Sequence, residues 1–594
     1  MSLLKPKIFL PLCVAGILTG YMAAEYIVPK YFHPTPETKL TRQDIIAAIG
    51  AQPYYFRQTT SGSYLAGQFA QRHKDWNKAS EYIGRVLRDD KSDPDFQKHS
   101  MILSMAAGDT KTSIALAQDV LKNDSTDLLA ILFSSVGQLK ESNYQEAINI
   151  FDKMGQNNIA SFIIPALKMW AQAGLKTFEL NNIPSNSFYS YHALLAGNHL
   201  DKKDEALNFA QKAFTIEEND IRDLEKHADA FLSFGDVEKA LSIYQAIDKQ
   251  NFADADIKKK IENLENNIAF EENVTLPSIN TPQDGAALVF QNMAEILLRE
   301  QSDDSATIFA QMALALNPKL HRSHAFIAEV YKRYDRYDEA IETLQKIDTN
   351  SDLYPDVQRQ IADLYVEQEK NDMAIQVLEK LHQTNDNLNA LIQIGDIHRY
   401  EENYSDAEKF YTTVIDKPET TLKDYWYVYY ARGMARERLK EFENADDDLQ
   451  QALTIEPNNP YLLNYLGYSW ADRDIKFDES LDMIIKAVTL KPDDGYITDS
   501  LGWVHYKMEN FDLAVPALER AVELLPYDPT INDHLGDAYW QVNRKNEAKF
   551  QWQRALNYNE DEDLELKEQI QKKLSSGLPK IKVSQTKTDE QKDL

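Results

Sequence analysis

The residues that could do chemistry in this 594-residue chain are a histidine pair, two acidic runs and one cysteine. His321 and His324 lie one helical turn apart and could share a metal ion, but such a pair is more often the solvated start of a helix. The runs Asp446–Asp448 and Asp493–Asp494 offer carboxylates for calcium or for glycoside hydrolysis, whereas acidic residues at helix starts ordinarily favour the helix dipole and solubility. The single cysteine, Cys13, excludes an internal disulfide and a cysteine-based zinc site.

No catalytic or nucleotide-binding motif occurs in the sequence. It has no GxxxxGKS/T phosphate loop, no GxGxxG turn, no GxSxG nucleophile elbow and no HExxH pair. The net charge of −30 argues against binding nucleic acid, because phosphates need a basic surface. We therefore expect a protein that is not an enzyme, without cofactor or metal, in which a binding surface carries the function. An enzyme using a cleft between repeats is the alternative, and it would need a convergent acid–base or metal cluster.

The elements that would position such a surface are set by an internal repeat. Gly467, Gly502 and Gly536 occupy equivalent places in three similar segments and are separated by 35 and 34 residues. Twelve residues after the last two glycines come Ala514 and Ala548. Small residues at these places let two helices approach closely, and Pro492 and Pro526 close the first two segments because proline cannot continue the second helix. The spacing predicts a chain of helix–turn–helix units.

These segments resemble the tetratricopeptide repeat, a helix–turn–helix unit of about 34 residues. The resemblance is carried by residues 463–470, 493–503 and 528–540, and the twelve-residue spacing between small residues extends back to Gly67. It implies an all-α fold, an α–α superhelix or tetratricopeptide repeat solenoid of about thirteen helix–turn–helix units in two arrays. Ordinary helical hairpins outside this family are the alternative, chiefly for residues 60–250.

The repeat pattern fails between residues 251 and 286, where Pro277 and Pro282 interrupt a charged stretch. This break predicts a hinge between two arrays. The expected segments are a signal peptide or signal-anchor (1–30), a linker (31–59), an N-terminal degenerate array (60–250), a helix and hinge linker (251–286), a C-terminal array with capping helix (287–575) and a disordered tail (576–594).

The first residues indicate export from the cytoplasm. Lys5 and Lys7 precede the apolar run Ile8–Ala24, as in a signal peptide or an uncleaved anchor. Lipidation at Cys13 is a third alternative, although Leu12 is not the small residue that a lipoprotein signal requires just before its cysteine. We expect an exported, periplasmic protein that meets the membrane only through this segment and binds no nucleic acid.

In tetratricopeptide repeats the concave surface is formed mainly by the first helix of each unit, and the resemblance implies which residues line it here. The candidate groove residues are Tyr427, Tyr430, Arg438, Asn464, Tyr468, Asp472, Tyr496, Asp499, Trp503, Tyr506, Asp533, Asp537 and Trp540. Aromatic side chains supply contact area, and asparagine can hold an extended peptide backbone. The groove is largely acidic, which disfavours the basic clamp by which some relatives hold a C-terminal carboxylate. Packing of Tyr468, Trp503 and Trp540 between units is the alternative for those three.

The C-terminal segments also resemble long exported repeat proteins of Gram-negative, especially alphaproteobacterial, type. Some members of that group are lipoproteins that act as adaptors, presenting cell-wall hydrolases to a carboxy-terminal processing protease. The resemblance implies a non-catalytic scaffold that binds partner proteins or peptides in its concave grooves, with such a protease and such hydrolases as the expected partners. The alternative is a structural component of an envelope assembly or polysaccharide-export apparatus.

Overall fold

The computed structural model describes residues 59–153, 162–177, 179–181, 183–266, 276–418, 420–559 and 564–579. These residues form 29 α-helices and no β-strand, so the prediction of an all-α repeat fold is confirmed. The predicted signal segment (1–30), nearly all of the linker (31–59) and most of the tail (576–594) lie outside the described residues. Within the described part of the chain, no helix is long and apolar enough to cross a membrane.

The chain divides into two compact units, residues 1–364 and 365–594. The helices that begin in the first unit are α1 (Thr60–Arg72), α2 (Trp76–Asp89), α3 (Pro94–Ala106), α4 (Thr110–Asn123), α5 (Leu128–Lys140), α6 (Tyr144–Asp152), α7 (Ile164–Gly174), α8 (Ser187–His199), α9 (Lys203–Ala213), α10 (Ile221–Ser233), α11 (Val237–Lys249), α12 (Ala255–Glu265), α13 (Pro282–Arg299), α14 (Asp303–Leu316), α15 (His321–Arg333), α16 (Tyr337–Leu344) and α17 (Tyr354–Glu367).

The helices of the second unit are α18 (Asn371–Asn385), α19 (Leu388–Tyr400), α20 (Tyr404–Ile415), α21 (Leu422–Arg438), α22 (Phe442–Ile455), α23 (Pro460–Asp472), α24 (Phe477–Leu490), α25 (Gly495–Lys507), α26 (Phe511–Leu524), α27 (Pro529–Gln541), α28 (Lys545–Tyr558) and α29 (Leu564–Ser576). From α19 to α28 they pack as consecutive pairs, each the two helices of one repeat.

Local sequence explains where the helices start. Aspartates precede many of them and accept hydrogen bonds from the first free backbone N–H groups. Asp127 accepts from Ala130 N at 2.9 Å and Asp528 accepts from Ile531 N at 2.9 Å. Proline at the first position of α23 and α27 has no N–H to satisfy and is pre-set for the helix.

The small residues lie where the helices of a pair approach each other most closely. A methyl group on Gly502 would lie 2.4 Å from Leu518 Cγ, and one on Gly536 would lie 2.5 Å from Trp552 Cδ1. Ala514 and Ala548 are fully buried on the opposing helices. The spacing of small residues therefore marks real helix contacts, as the sequence indicates.

In the first unit the chain folds back onto its own earlier helices. The pair α13 and α14 packs against α3, α5, α7 and α8, and every residue of α13 from Gly285 to Ala294 is buried. Gly285 lies against the ring of Trp170, where a methyl group would come within 2.2 Å of Cδ2. The segment 251–286 lies inside this unit, and helices on both sides of it pack together. The domain bounds drawn from the repeat pattern remain a prediction.

Candidate functional site

The candidate groove residues lie in the second compact unit of the chain. They are on α21, α23, α25 and α27, which are the first helices of four consecutive repeats. In the first unit, α3, α5 and α7 pack against α13 or α14. The candidate groove residues of the second unit fall into a buried part and an exposed part.

The buried part is a cluster of charges between α25, α27 and α29. Asp499, Asp533 and Asp537 are all buried. His534 Nδ1 lies 2.9 Å from an Asp499 oxygen, and Lys573 Nζ lies 2.5 Å from Asp533 Oδ2 and 2.8 Å from Asp537 Oδ2. These three predicted groove carboxylates thus bind the last two units and α29 to one another.

Burial shifts the proton equilibria of this cluster. Desolvation raises the pKa of Asp537 to about 6, and the neighbouring Asp533 adds to the rise, while Lys573 opposes it. Burial alone lowers the pKa of His534, but the charge of Asp499 and the hydrogen bond to it bring that pKa above its ordinary value. Burial likewise lowers the pKa of Lys573, and Asp537 and Asp533 more than compensate.

Trp503 contacts the next repeat, whereas Trp540 contacts the second helix of its own repeat and the segment that follows α29. Trp503 stacks on His534 with 3.9 Å between ring centroids and on Tyr506 with 4.9 Å. Trp540 lies 5.3 Å from Trp552, and its Nε1 donates to the Leu578 carbonyl at 2.7 Å. Each is only partly buried.

The exposed part is a row of tyrosines, Tyr427, Tyr461 and Tyr496, at the same position of three consecutive units. They are 34 and 35 residues apart, and their side chains are 38%, 48% and 61% exposed. Tyr461 is not among the candidates predicted from the sequence, although its repeat spacing from Tyr427 and Tyr496 would have predicted it. We call these three residues the tyrosine row.

Tyr468 lies among carboxylates in the groove beside this row. Burial raises the pKa of Tyr468, and Asp472, Asp499 and Glu437 raise it further. Asp472 is exposed, and its backbone carbonyl accepts from Lys507 Nζ at 3.1 Å. Carboxylates of α21, α23 and α25 therefore act on Tyr468.

The remaining candidates are on α21 and α23. Tyr430 is partly buried and contacts Tyr465 edge to face, with 5.8 Å between ring centroids. Arg438 is exposed, and its Nε donates to the Tyr404 hydroxyl at 3.2 Å. Asn464 Oδ1 is buried without a hydrogen-bond partner.

The first unit holds a cleft of about 310 Å³ between α8, α10 and α13 that no sequence pattern predicted. Two of its cations pair with Asp223: Arg299 Nη2 lies 2.7 Å and Lys226 Nζ lies 2.6 Å from a carboxylate oxygen. Burial, with a contribution from Lys226, lowers the pKa of His227 to about 4. Helices separated by up to about a hundred residues form the cleft, so only tertiary packing brings its lining together.

Among the described residues, no group of three histidine, cysteine, aspartate or glutamate side chains is placed to hold a metal ion. His324 Nε2 lies 3.3 Å from the Pro318 carbonyl, and His321 Nδ1 is buried without a hydrogen-bond partner. The predictions of no metal and no catalytic role stay predictions.

Comparison with known proteins supports the repeat assignment. Tetratricopeptide repeat family models match residues 427–459 and 500–561. A TPR repeat-containing protein of Pseudomonas aeruginosa is 28% identical over 78 residues, and the match spans 13% of this chain and 13% of that relative. The chain therefore contains tetratricopeptide repeats, and such repeats support a protein-interaction scaffold.

Solved structures with similar folds include the APC/C hetero-tetramer Cut9–Hcn1, at 14% identity and a TM-score of 0.36 over 87% of this chain and 96% of that one. Yeast Tom70 is 14% identical with a TM-score of 0.33, covering 87% of this chain and 95% of its own. MamA from MSR-1 is 19% identical with a TM-score of 0.25, covering 30% of this chain and 98% of its own.

Proposed function

We propose that this protein is a non-catalytic scaffold that binds partner proteins or peptides along the open groove of its second unit. The tyrosine row carries the proposal. Three large aromatic side chains stand exposed at one repeat position in three consecutive units, and such residues dominate the energetics of protein interfaces.

The spacing of the row fits an extended partner. First helices of neighbouring units lie about 10 Å apart, and an extended peptide advances about 3.3 Å per residue. A partner strand crossing the helices would therefore meet one tyrosine about every third residue. The carboxylates near Tyr468 favour a partner segment that carries positive charge.

The proposed setting is the periplasm, with any membrane anchoring through residues 1–30. The basic and then apolar pattern of that segment supports it. A specific form of the scaffold is an adaptor for a carboxy-terminal processing protease and its cell-wall hydrolase substrates, supported by the resemblance of residues 463–540 to exported adaptors. A structural component of an envelope assembly or polysaccharide-export apparatus is the alternative.

The test is an affinity pull-down of the full chain from detergent-solubilised cells, read by mass spectrometry and repeated with the row variant Tyr427→Ala, Tyr461→Ala and Tyr496→Ala. The matched control replaces Tyr400 and Tyr527, which are 78% and 71% exposed and lie off the row. At about 1 kcal/mol for each exposed anchor, the row variant should weaken binding by roughly a hundredfold with helicity unchanged.

The pull-down results distinguish the proposed binding groove and the two proposed roles of the scaffold. Loss of a partner with the row variant and not with the control supports the groove. Equal recovery by both variants refutes it. A protease recovered with hydrolases identifies the adaptor, and polymer-export or envelope-assembly subunits identify the structural alternative.

A further inference from the structure

The cleft in the first unit has room for one small ligand. Its volume of about 310 Å³ is at the small end of the range of ligand pockets, about 300–1,000 Å³. Its walls come from the start of α8, the first half of α10 and the second half of α13, together with Phe162. The tyrosine row is on helices of the other unit, so the cleft is a different site from the proposed partner groove.

Part of the lining of the cleft is apolar. Phe162 and Phe188 are partly buried, with 4.9 Å between their ring centroids. Ile296 of α13 is also partly buried, and all three side chains line the cleft. Apolar side chains that still meet water inside a cleft gain free energy when an apolar ligand displaces that water. This part of the lining suits one small apolar group.

The carboxylates of the lining already have partners or face water. Asp223 accepts from Arg299 Nη2 at 2.7 Å, and Asp220 accepts from Arg222 Nε at 2.8 Å. Glu300, the third carboxylate, is exposed, so solvent screens its charge. A cationic ligand would have to displace an arginine of the chain to pair with Asp220 or Asp223.

The guanidinium of Arg299, in contrast, has a donor left over. Its Nη2 is bonded to Asp223, whereas its Nη1 is buried without a hydrogen-bond partner. A buried donor without an acceptor is costly, and the cost is larger for a charged group. Arg299 lines the cleft, so a ligand oxygen beside Nη1 would complete its hydrogen bonding. The acceptor that binds a guanidinium most strongly is a carboxylate.

Asn292 provides a second donor. Trp170 Nε1 lies 3.4 Å from His192 Nδ1, and an indole N–H can only donate. Burial lowers the pKa of His192 to about 3, so the ring is neutral and its one N–H is on Nε2. His192 Nε2 lies 3.3 Å from the Asn292 amide, which must therefore accept through Oδ1. The NH₂ group of Asn292, a residue only 6% exposed, is left for the cleft that this residue lines.

The helix ends favour a negative ligand. The side-chain charges of the lining balance, with three cations and three carboxylates. Two helices, α8 and α10, begin at the cleft, and one helix, α13, ends there. Each helix start carries about half a positive charge and each helix end about half a negative charge, so the helix ends together add positive potential.

We propose that this cleft binds a small monocarboxylate that carries one apolar group. The carboxylate accepts from Arg299 Nη1 and from the Asn292 NH₂ group. The apolar group packs against Phe162, Phe188 and Ile296. A free acid and the last residue of a protein chain share this chemistry, and the test below separates them.

The experiment is an NMR titration of the full chain, labelled at its isoleucine methyl groups, with 3-phenylpropionate and with the neutral 3-phenylpropanamide. Ile296 reports on the cleft, and Ile485, 46% exposed in the second unit, is the control methyl. We expect 3-phenylpropionate to shift Ile296 and not Ile485. The acid should bind roughly tenfold more tightly than the amide, because only the acid makes charge-assisted hydrogen bonds through both oxygens.

Each titration result decides the proposal. Equal affinities for the acid and the amide would overturn it, and so would the absence of a shift at Ile296. N-acetylphenylalanine, which imitates the end of a protein chain, separates the two sources of the carboxylate. If it binds Ile296 more tightly than 3-phenylpropionate does, the result supports the site and assigns it to a chain end; weaker binding supports the site and assigns it to a free acid.

The role of Arg299 is tested with Arg299→Lys, which keeps a cation for Asp223 and removes the Nη1 donor. The acid should bind roughly tenfold more weakly, and the amide should lose less. The matched control is Arg88→Lys, at an exposed arginine of α2 in the same unit. Unchanged binding of the acid to Arg299→Lys would overturn the proposed carboxylate position. If that variant does not fold by circular dichroism, the titrations of the wild type still decide the proposal.

These titrations need no protein partner, so this inference is independent of the proposed function. A cleft that binds no carboxylate leaves the tyrosine row untested, and a pull-down indifferent to the row leaves the Ile296 shift unaffected.

Discussion

The buried carboxylate of Asp537 predicts that the last repeats lose stability as the pH rises. Its folded-state pKa is raised to about 6, above the value of about 4 that an unfolded chain gives. The folded state therefore binds the proton more tightly, and this contribution to stability is complete below about pH 4 and lost as the pH rises through 6. The difference of about two pKa units, at about 1.4 kcal/mol each, lowers the free energy of unfolding by up to about 3 kcal/mol over this pH range.

His534 acts in the same direction at higher pH. Its pKa is raised, so its contribution is complete below the ordinary histidine pKa and is lost as the pH rises through the raised value. Replacing Asp537 with Asn keeps an acceptor for Trp552 Nε1, which donates to Asp537 Oδ1 at 2.8 Å, and removes the titration between pH 4 and 6.

The assay is hydrogen exchange of the full chain at pH 4, 5, 6 and 7, corrected for the intrinsic exchange rate and read over residues 529–558. We expect the opening free energy of the wild type to fall with pH and that of Asp537→Asn to stay level between pH 4 and 6. The control Asp493→Asn changes an exposed aspartate of the same unit. Parallel curves for the wild type and Asp537→Asn would refute the reasoning.

Two further substitutions test how the units are packed. Gly285→Ala places a methyl group against Trp170 and should lower the free energy of unfolding of the first unit by about 1–3 kcal/mol, measured by urea unfolding. The same change at exposed Gly235 is not a suitable control because its φ is +82°, so an exposed serine, Ser92→Ala, serves instead. Arg432→Met removes one of the two arginines that pair with buried Asp448, and it should lower the free energy of unfolding of the second unit by about 3 kcal/mol. A decrease below about 1 kcal/mol would show that Arg436 alone compensates the charge of Asp448.

Much of the fold follows from spacing in the sequence. Small residues such as Gly502 and Ala514 return at the same positions of successive repeats, because the two helices of each pair need them where their backbones meet. This contact joins residues close in the chain, so the sequence spacing reveals it. The same regularity relates Tyr427, Tyr461 and Tyr496, and a strict reading of the repeat would have included Tyr461 among the candidates.

The sequence by itself determined the class of fold and the helix pairs, because repeat contacts involve residues close in the chain. Only the tertiary structure decided which groove residues are open. Asp533 and Asp537 occupy candidate groove positions by repeat register, yet both are buried and pair with Lys573 of α29. Gly285 meets Trp170 across more than a hundred residues, since α13 folds back on α7. Such contacts depend on how successive helices stack in space, which the period of the repeat does not encode.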